Sequence, residues 1–270
     1  MLCLVVALPA EARPLVDRFK LKALAGHPYR LYAGPDTHLI TSGIGKVASA
    51  AAVAYLRALI GPTPAAWLNV GIAGHAQAVV GTALLAHKVL DVGGSKSYYP
   101  VFAAPPLCST DLLHTVDQPE SDYGTGGAYD MEASGFCATA LRFASAELVH
   151  CLKIISDNPN SSWRDLNART ISQLIAGQFE KTEAVGHAMA ALARELAARQ
   201  ADPCELAEIL ARWRFSATQQ HRLRDLLQRW QILAPGQTML DGELSSLRDR
   251  GAVLDHIAGR LRKIDLNLGR

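Results

Sequence analysis

Along the first 200 residues, short apolar runs alternate with longer stretches of helical periodicity. "LCLVVAL" (residues 2–8) is apolar at every position and reads as a strand buried on both faces. "PAEARPLVDRF" follows as a helix, with proline tolerated near its start. "THLITSGIG" reads as a strand ending in glycines, and "KVASAAAVAYLRAL" as an alanine-rich helix that packs closely on a sheet. "AAWLNVGIAG" and "TALLAHKVLDV" are two further strands, and residues 93–127 read as loop-rich. After "YDME" come a helix, "SGFCATALRFA", a strand, "ELVHCLKIIS", and a long amphipathic helix, "FEKTEAVGHAMAALARELAAR". The alternation predicts an α/β domain over residues 1–200, three-layer αβα with a mixed central sheet. From residue 201 the texture changes to helical periods with Leu, Ile and Trp on one face and Arg on the other, broken by "APGQT". Residues 201–270 therefore read as a helical extension.

Composition narrows the function classes. The hydrophobic share of 49% is ample for a core, and the net charge of +2 is too near balance to suggest a nucleic-acid or membrane surface. Five scattered cysteines without a C-x-x-C fit free thiols in a reducing cytoplasm. The nine histidines form no ligand spacing, so no metal is expected. "ALPAEA" imitates a leader cleavage site, but no basic segment precedes it and the apolar run is short, so a strand is expected there instead. No stretch reaches the length of a membrane span. In "RWRFSATQQHRLRDLLQRW" tryptophans interleave with arginines, but Asp202, Glu205, Glu208 and Asp225 offset the charge. Nucleic acid is thus disfavoured, and an amphipathic extension packing on the core, on another subunit or on a partner protein is expected.

Candidate chemistry gathers at the strand ends, where α/β folds bind ligands. Gly43 and Gly45 in "TSGIGK" and Gly71 and Gly74 in "NVGIAG" turn strands or let backbone approach something flat or polar. Neither matches a phosphate-binding loop. Glu11 follows the first strand, Glu132 opens the helix after "YDM", and Asp157 ends the strand in "KIISDNPN". Each alone reads as a cap or first-turn residue; together they are three carboxylates at one edge of one sheet. Asp130 reads only as an acidic first-turn neighbour. Three carboxylates without a metal suit cleavage of an N-glycosidic bond. The oxocarbenium-like transition state wants anionic surroundings, the leaving base wants a proton, and the water wants a general base.

"ALPAEARPL", "TSGIGKVASA", "NVGIAGHAQAVVGT", "YDMEASGF" and "KIISDNPN" stand in the order found in the nucleoside phosphorylase superfamily. Over residues 1–200 the chain resembles most the methylthioadenosine/S-adenosylhomocysteine nucleosidase branch. The resemblance implies a nucleoside phosphorylase-like fold, a homo-oligomer, no cofactor, and a purine nucleoside as substrate, with a 5′-modified adenosine as a candidate. It further implies that Glu11 activates the water, that Met131 and the Glu132 carboxylate hold the ribose with Ile44 nearby, and that Asp157, helped by Ser156, protonates or hydrogen-bonds the purine. Ala73 and Gly74 would line the base pocket. Ile72 stands where relatives often carry Ser or Thr, Lys153 where an arginine is usual, and Thr82 where an aspartate is familiar. An apolar Ile72 beside a phosphate would leave the anion under-bonded, which favours water. Residues 93–127 read as shortened, leaving the wall over the base unassigned. Phosphorolysis and a non-catalytic nucleoside-binding module remain the open alternatives.

Overall fold

The structure, a computed structural model, describes residues 1–124 and 126–268. It divides into two compact units, Met1–Ala198 and Arg199–Arg270. In the first, ten strands among the described residues form one mixed sheet: β1 (Leu2–Val6), β2 (Lys22–Leu24), β3 (Arg30–Ala33), β4 (Thr37–Thr41), β5 (Ala66–His75), β6 (Ala83–Asp91), β7 (Lys96–Tyr98), β8 (Ser109–Thr115), β9 (Ala128–Asp130) and β10 (Val149–Asp157). Its helices are α1 (Pro9–Arg18), α2 (Lys46–Ile60), α3 (Ala133–Ala140), α4 (Ala168–Ala176) and α5 (Phe179–Gln200).

The period-2 geometry of a strand sends successive side chains to opposite faces, and β1 shows what each face meets. Cys3 and Val5 join a core with Val53 and Leu56 of α2 and Phe136 of α3. Leu2, Leu4 and Val6 join another with Leu15 of α1, Ile175 of α4 and Met189 of α5. A strand apolar at every position is thereby explained: both faces are covered, and the layers are αβα.

Strands β4, β1, β5 and β10 run parallel, and the β2–β3 hairpin extends the sheet beyond β4. At the other side the sheet curls. β10 pairs antiparallel with β6, β6 parallel with β8, β8 parallel with β9, and β9 antiparallel with β5. Since β5 also pairs with β10, these five strands close into a ring. Closure places Tyr129 of β9 opposite Gly74 of β5, carrying Asp130 and Glu132 to the edge where β1, β5 and β10 end.

The segment read as loop-rich, 93–127, in fact contributes β7 and the seven-residue β8. Its strand character is hidden because its polar residues are satisfied by distant partners. Asp111 pairs with His75 at 3.0 Å, His114 meets the Gly126 carbonyl, and the Thr115 hydroxyl donates to Asp130. The hairpin β2–β3 and helix α4 are also additions to the expected elements. Asn167 caps α4, its side chain accepting from the N–H groups of Arg169 and Thr170.

The second unit consists of α6 (Leu206–Arg212), α7 (Ala217–Leu233), α8 (Gly242–Ser246) and α9 (Arg250–Leu268). Its helices do not need another surface to bury their apolar stripes: Leu206, Ile209, Leu223, Leu227, Trp230, Val253 and Ile257 form a core of their own. The Trp230 indole donates to the Gln237 carbonyl at 2.9 Å, and the Arg260 guanidinium lies 4.6 Å over its ring. Among the described residues, no helix is long and apolar enough to cross a membrane.

One glycine governs how α3 meets α2. A Cβ on Gly135 would lie 2.0 Å from the Lys46 carbonyl oxygen and 2.6 Å from its carbon. Both contacts are backbone, so neither can move aside as a side chain could. Gly135→Ala is expected to destabilise the α/β unit by about 3 kcal/mol or more, the upper end for overpacking. Denaturant unfolding followed on the α/β transition checks this, and a loss below about 1 kcal/mol would contradict the close approach.

Candidate active site

A cleft of about 380 Å³ opens at the carboxyl ends of β1, β5 and β10. All eight residues singled out from the sequence line it: Glu11, Ile44, Ala73, Gly74, Met131, Glu132, Ser156 and Asp157. They arrive from five places in the chain. Parallel pairing of β4, β1, β5 and β10 makes their ends coincide, and the β9 contact brings Met131 and Glu132.

Glu11 is buried at the start of α1, but it does not behave as an exposed first-turn residue. Its Oε2 accepts the N–H groups of Ala7 and Leu8 at 2.8 and 2.9 Å, and its Oε1 accepts that of Ile72 at 3.0 Å. Three of about four acceptor positions of the carboxylate are thus taken by backbone. One remains for a ligand. Burial pushes its pKa above the usual carboxylate range, against the opposing pull of Lys153 and the three N–H groups.

Asp130 and Glu132, which flank Met131, take different places. Asp130 is no exposed first-turn neighbour: its side chain is wholly buried and sits at the end of β9. It caps α3 through Ala133 N–H at 2.9 Å, accepts the Thr115 hydroxyl at 2.8 Å, and pairs with Lys153 Nζ at 2.8 Å. Glu132 stands at the N-cap position of α3 yet makes no side-chain cap. Its Oε1 reaches across to the Gly45 N–H at 2.9 Å, on the "SGIGK" loop where Gly43 and Gly45 take positive φ. Burial first, and Asp130 second, raise the Glu132 pKa to about 7, while Lys153 and the Gly45 N–H pull it down.

Lys153 is the cation under this group. Burial alone would lower the pKa of its ammonium, but Asp130 and Glu132 reverse that, and the ammonium is held charged above its ordinary range. A Cβ on Gly71 would meet Glu11 Oε1 at 2.9 Å and Lys153 Nζ at 3.3 Å, so both charges close on the same bare stretch of β5. Neither Lys153 nor Asp130 stood out from the sequence as a site residue. A lysine inside a nine-residue strand with every position buried is the signal that could have found the pair.

At the other end of the cleft, Asp157 receives two hydroxyls. Ser156 Oγ donates to Oδ1 and Tyr123 Oη to Oδ2, both at 2.5 Å. Tyr123 also lines the cleft, as do Trp163 and Arg164, whose guanidinium lies 4.7 Å over the Trp163 ring. Ile44 is 57% exposed at the rim. Chemically the cleft offers a buried carboxylate with one free acceptor position, a second that titrates near neutrality, and a third held by hydroxyl donors.

Neither a protein-family model nor a curated protein sequence matches the chain. Solved structures do. The 5′-methylthioadenosine nucleosidase of Arabidopsis thaliana, in apo form, superposes with a TM-score of 0.57 at 21% identity, over 70% of this chain and 95% of that one. The 5′-methylthioadenosine/S-adenosylhomocysteine nucleosidase of Helicobacter pylori, with butyl-thio-DADMe-Immucillin-A, gives 0.55 at 12% identity, over 68% and 96%. That of Colwellia psychrerythraea, in complex with adenine, gives 0.52 at 20% identity, over 67% and 94%. The ring-closed mixed sheet between two helical layers is therefore the fold of the methylthioadenosine/S-adenosylhomocysteine nucleosidases.

Proposed function

We propose that the α/β unit hydrolyses the N-glycosidic bond of a purine nucleoside, a 5′-modified adenosine, and releases the free base. The observation that carries this reading is the convergence of Glu11, Glu132 and Asp157 on one cleft, each in a different environment. Structures of the same fold include a methylthioadenosine nucleosidase and a relative holding adenine, which supports the substrate class.

Each carboxylate then has a task. Glu132 accepts hydrogen bonds from the ribose hydroxyls, with Met131 against the sugar and Ile44 at the rim. Glu11 uses its remaining acceptor position to take a proton from water as the water oxygen bonds to the anomeric carbon. The bond from that carbon to the purine breaks, its electrons go to the base, and Asp157, helped by Ser156, supplies the proton the base takes up. Ala73 and Gly74 offer backbone rather than side chains to the purine. Positive charge developing on the sugar is matched by anionic carboxylates around it.

Water is favoured over phosphate on electrostatic grounds. The N–H groups of Ala7, Leu8 and Ile72, which an anion would use, are already occupied by Glu11. Lys153 is committed to Asp130, and a phosphate would face Glu11 and Glu132 as like charges.

The reading extends to the surroundings of the enzyme. Five free thiols support a reducing, cytoplasmic setting. Val47, 84% exposed one turn along from Ile44, supports a homo-oligomer covering that rim. The helical unit, having its own core, is read as a module for contacting a partner protein or subunit rather than as part of the reaction.

Incubation of the full chain with a panel of purine nucleosides, including 5′-modified adenosines, should release free base at the same rate with and without phosphate. Glu11→Gln and Asp157→Asn should each lower kcat by about 100-fold or more, the range of a lost general base or acid. Base release that requires phosphate would replace hydrolysis by phosphorolysis, and tight binding without release would make the protein a nucleoside-binding module.

The pH dependence follows from the shifted carboxyls. Both Glu11 and Glu132 act as carboxylates and both pKa values are raised, so kcat/KM should climb with pH through a limb near the Glu132 value of about 7. Lys153 lowers both pKa values, so removing it should raise them. Lys153→Met should therefore move the limb to higher pH. It should also cost about 3–5 kcal/mol in stability by leaving Asp130 buried without its partner. A pH–rate profile and a denaturant titration of the same variant check the two effects separately.

A further inference from the structure

We propose that Tyr123 is a built-in plug of the base subsite, its phenol holding Asp157 in the free enzyme where a purine would, so that the purine must displace it to bind. The inference rests on the assignment of Asp157 to the base, made above. It concerns the stretch between β8 and β9 that the sequence resemblance left unassigned.

The geometry is that of a substitute ligand. With Tyr123 on Oδ2 and Ser156 on Oδ1, both at 2.5 Å, each oxygen of Asp157 already holds a short hydrogen bond. The phenol ring lies directly on the backbone of Gly74: a Cβ there would be 2.6 Å from Tyr123 Cε1 and 2.5 Å from Asp157 Oδ2. A flat ring on bare backbone, with a polar atom on the carboxylate, is the pose proposed for the purine itself. Tyr129 supports the ring edge-on at 5.8 Å, and Tyr123 is only 4% exposed although it belongs to a connecting segment.

Its backbone is held with equal effort. Tyr123 takes φ +48°, the left-handed region that non-glycine residues avoid, so the closed arrangement stores strain that lifting the residue would release. Gly126 and Gly127, both at positive φ, give the chain on the β9 side conformational freedom, and Glu120 ties the N–H groups of Ser121 and Asp122 on the other. Lifting the phenol frees Asp157 Oδ2, so opening the base subsite and presenting the carboxyl to the purine are one event.

The test measures adenine affinity by titration calorimetry, and nucleoside cleavage, in the full-length wild type, Tyr123→Phe and Tyr123→Ala. Loss of the hydroxyl alone removes the competing bond, so Tyr123→Phe should bind adenine about tenfold more tightly. Its KM should fall while kcat changes by less than about threefold. Hydrogen exchange at the Tyr123 amide should quicken in the wild type when adenine is added. Weaker or unchanged adenine binding in Tyr123→Phe, or an amide more protected with adenine present, would overturn the plug, because a residue that contacts the bound base gives those results. The two readings fail separately. Tighter adenine binding in Tyr123→Phe than in the wild type without cleavage of any nucleoside would overturn the hydrolase and uphold the plug. Cleavage with unimproved affinity in Tyr123→Phe would overturn the plug alone. Absence of adenine binding in all three proteins would overturn both.

Discussion

The ion pair between Lys153 and Asp130 is the contact on which the site is assembled. Neither side chain touches solvent to any useful extent, at 2% and 0% exposure, and a charge taken so completely out of water is tolerated only when paired and hydrogen-bonded. Asp130 meets that condition with Lys153, the Thr115 hydroxyl and the Ala133 N–H, which join β10, β8 and the start of α3 at one carboxylate. The same ammonium pulls down the pKa values of Glu11 and Glu132 against the burial that raises them. A structural pair at the bottom of the ring therefore also sets the charge state of the two carboxylates that face the cleft.

Around that pair, the other functional groups fit into notches where a side chain is missing. Gly71 leaves room for Glu11 beside Lys153, and Gly74 for Asp157 and the Tyr123 ring. Gly135 lets α3 approach α2 until backbone touches backbone, which keeps Glu132 at the head of α3 close to Gly45 at the head of α2. A carboxylate seated against bare backbone has few other places to go. Its orientation is set by exclusion as much as by hydrogen bonds, which is what pre-organised chemistry requires.

Much of this was legible in the amino-acid sequence, and the failures have physical reasons. The runs "LCLVVAL" and "ELVHCLKIIS" declared themselves because a strand buried on both faces must be apolar at nearly every position. Glu11 and Asp157 were conspicuous as the first charges after them. Asp130 and Glu132, two acids around one methionine, look alike locally. Which caps the helix and which crosses to Gly45 is decided by the pairing of β9 with β5, a long-range fact. Strand β8 escaped notice because its polar residues find partners in His75, Gly126 and Asp130, none of them near in sequence. Tyr123 carried no local signal at all. In the C-terminal helices the apolar stripes were plain, but periodicity says only that a face is buried. That Leu223, Trp230 and Ile257 bury theirs against one another belongs to tertiary structure.

The balance of charge also explains why an empty cleft would hold a tyrosine on its aspartate. Four carboxylates, Glu11, Asp130, Glu132 and Asp157, line the cleft, and one buried ammonium, Lys153, acts on the first three. Such an excess attracts neither a neutral nucleoside nor a phosphate, but it strongly favours positive charge appearing on a sugar, so its benefit is realised at the transition state rather than in the ground state. Between turnovers the same excess is a liability, because Lys153 is committed to Asp130 and no charged sugar is there to meet the rest. Hydroxyl donors from Ser156 and Tyr123 offset it at Asp157, and backbone N–H groups offset it at Glu11, without adding a positive charge that would blunt the catalytic field. A phenol suits the position better than a lysine or arginine would, since it hydrogen-bonds Asp157 in the empty site and can leave as a neutral group when the purine arrives.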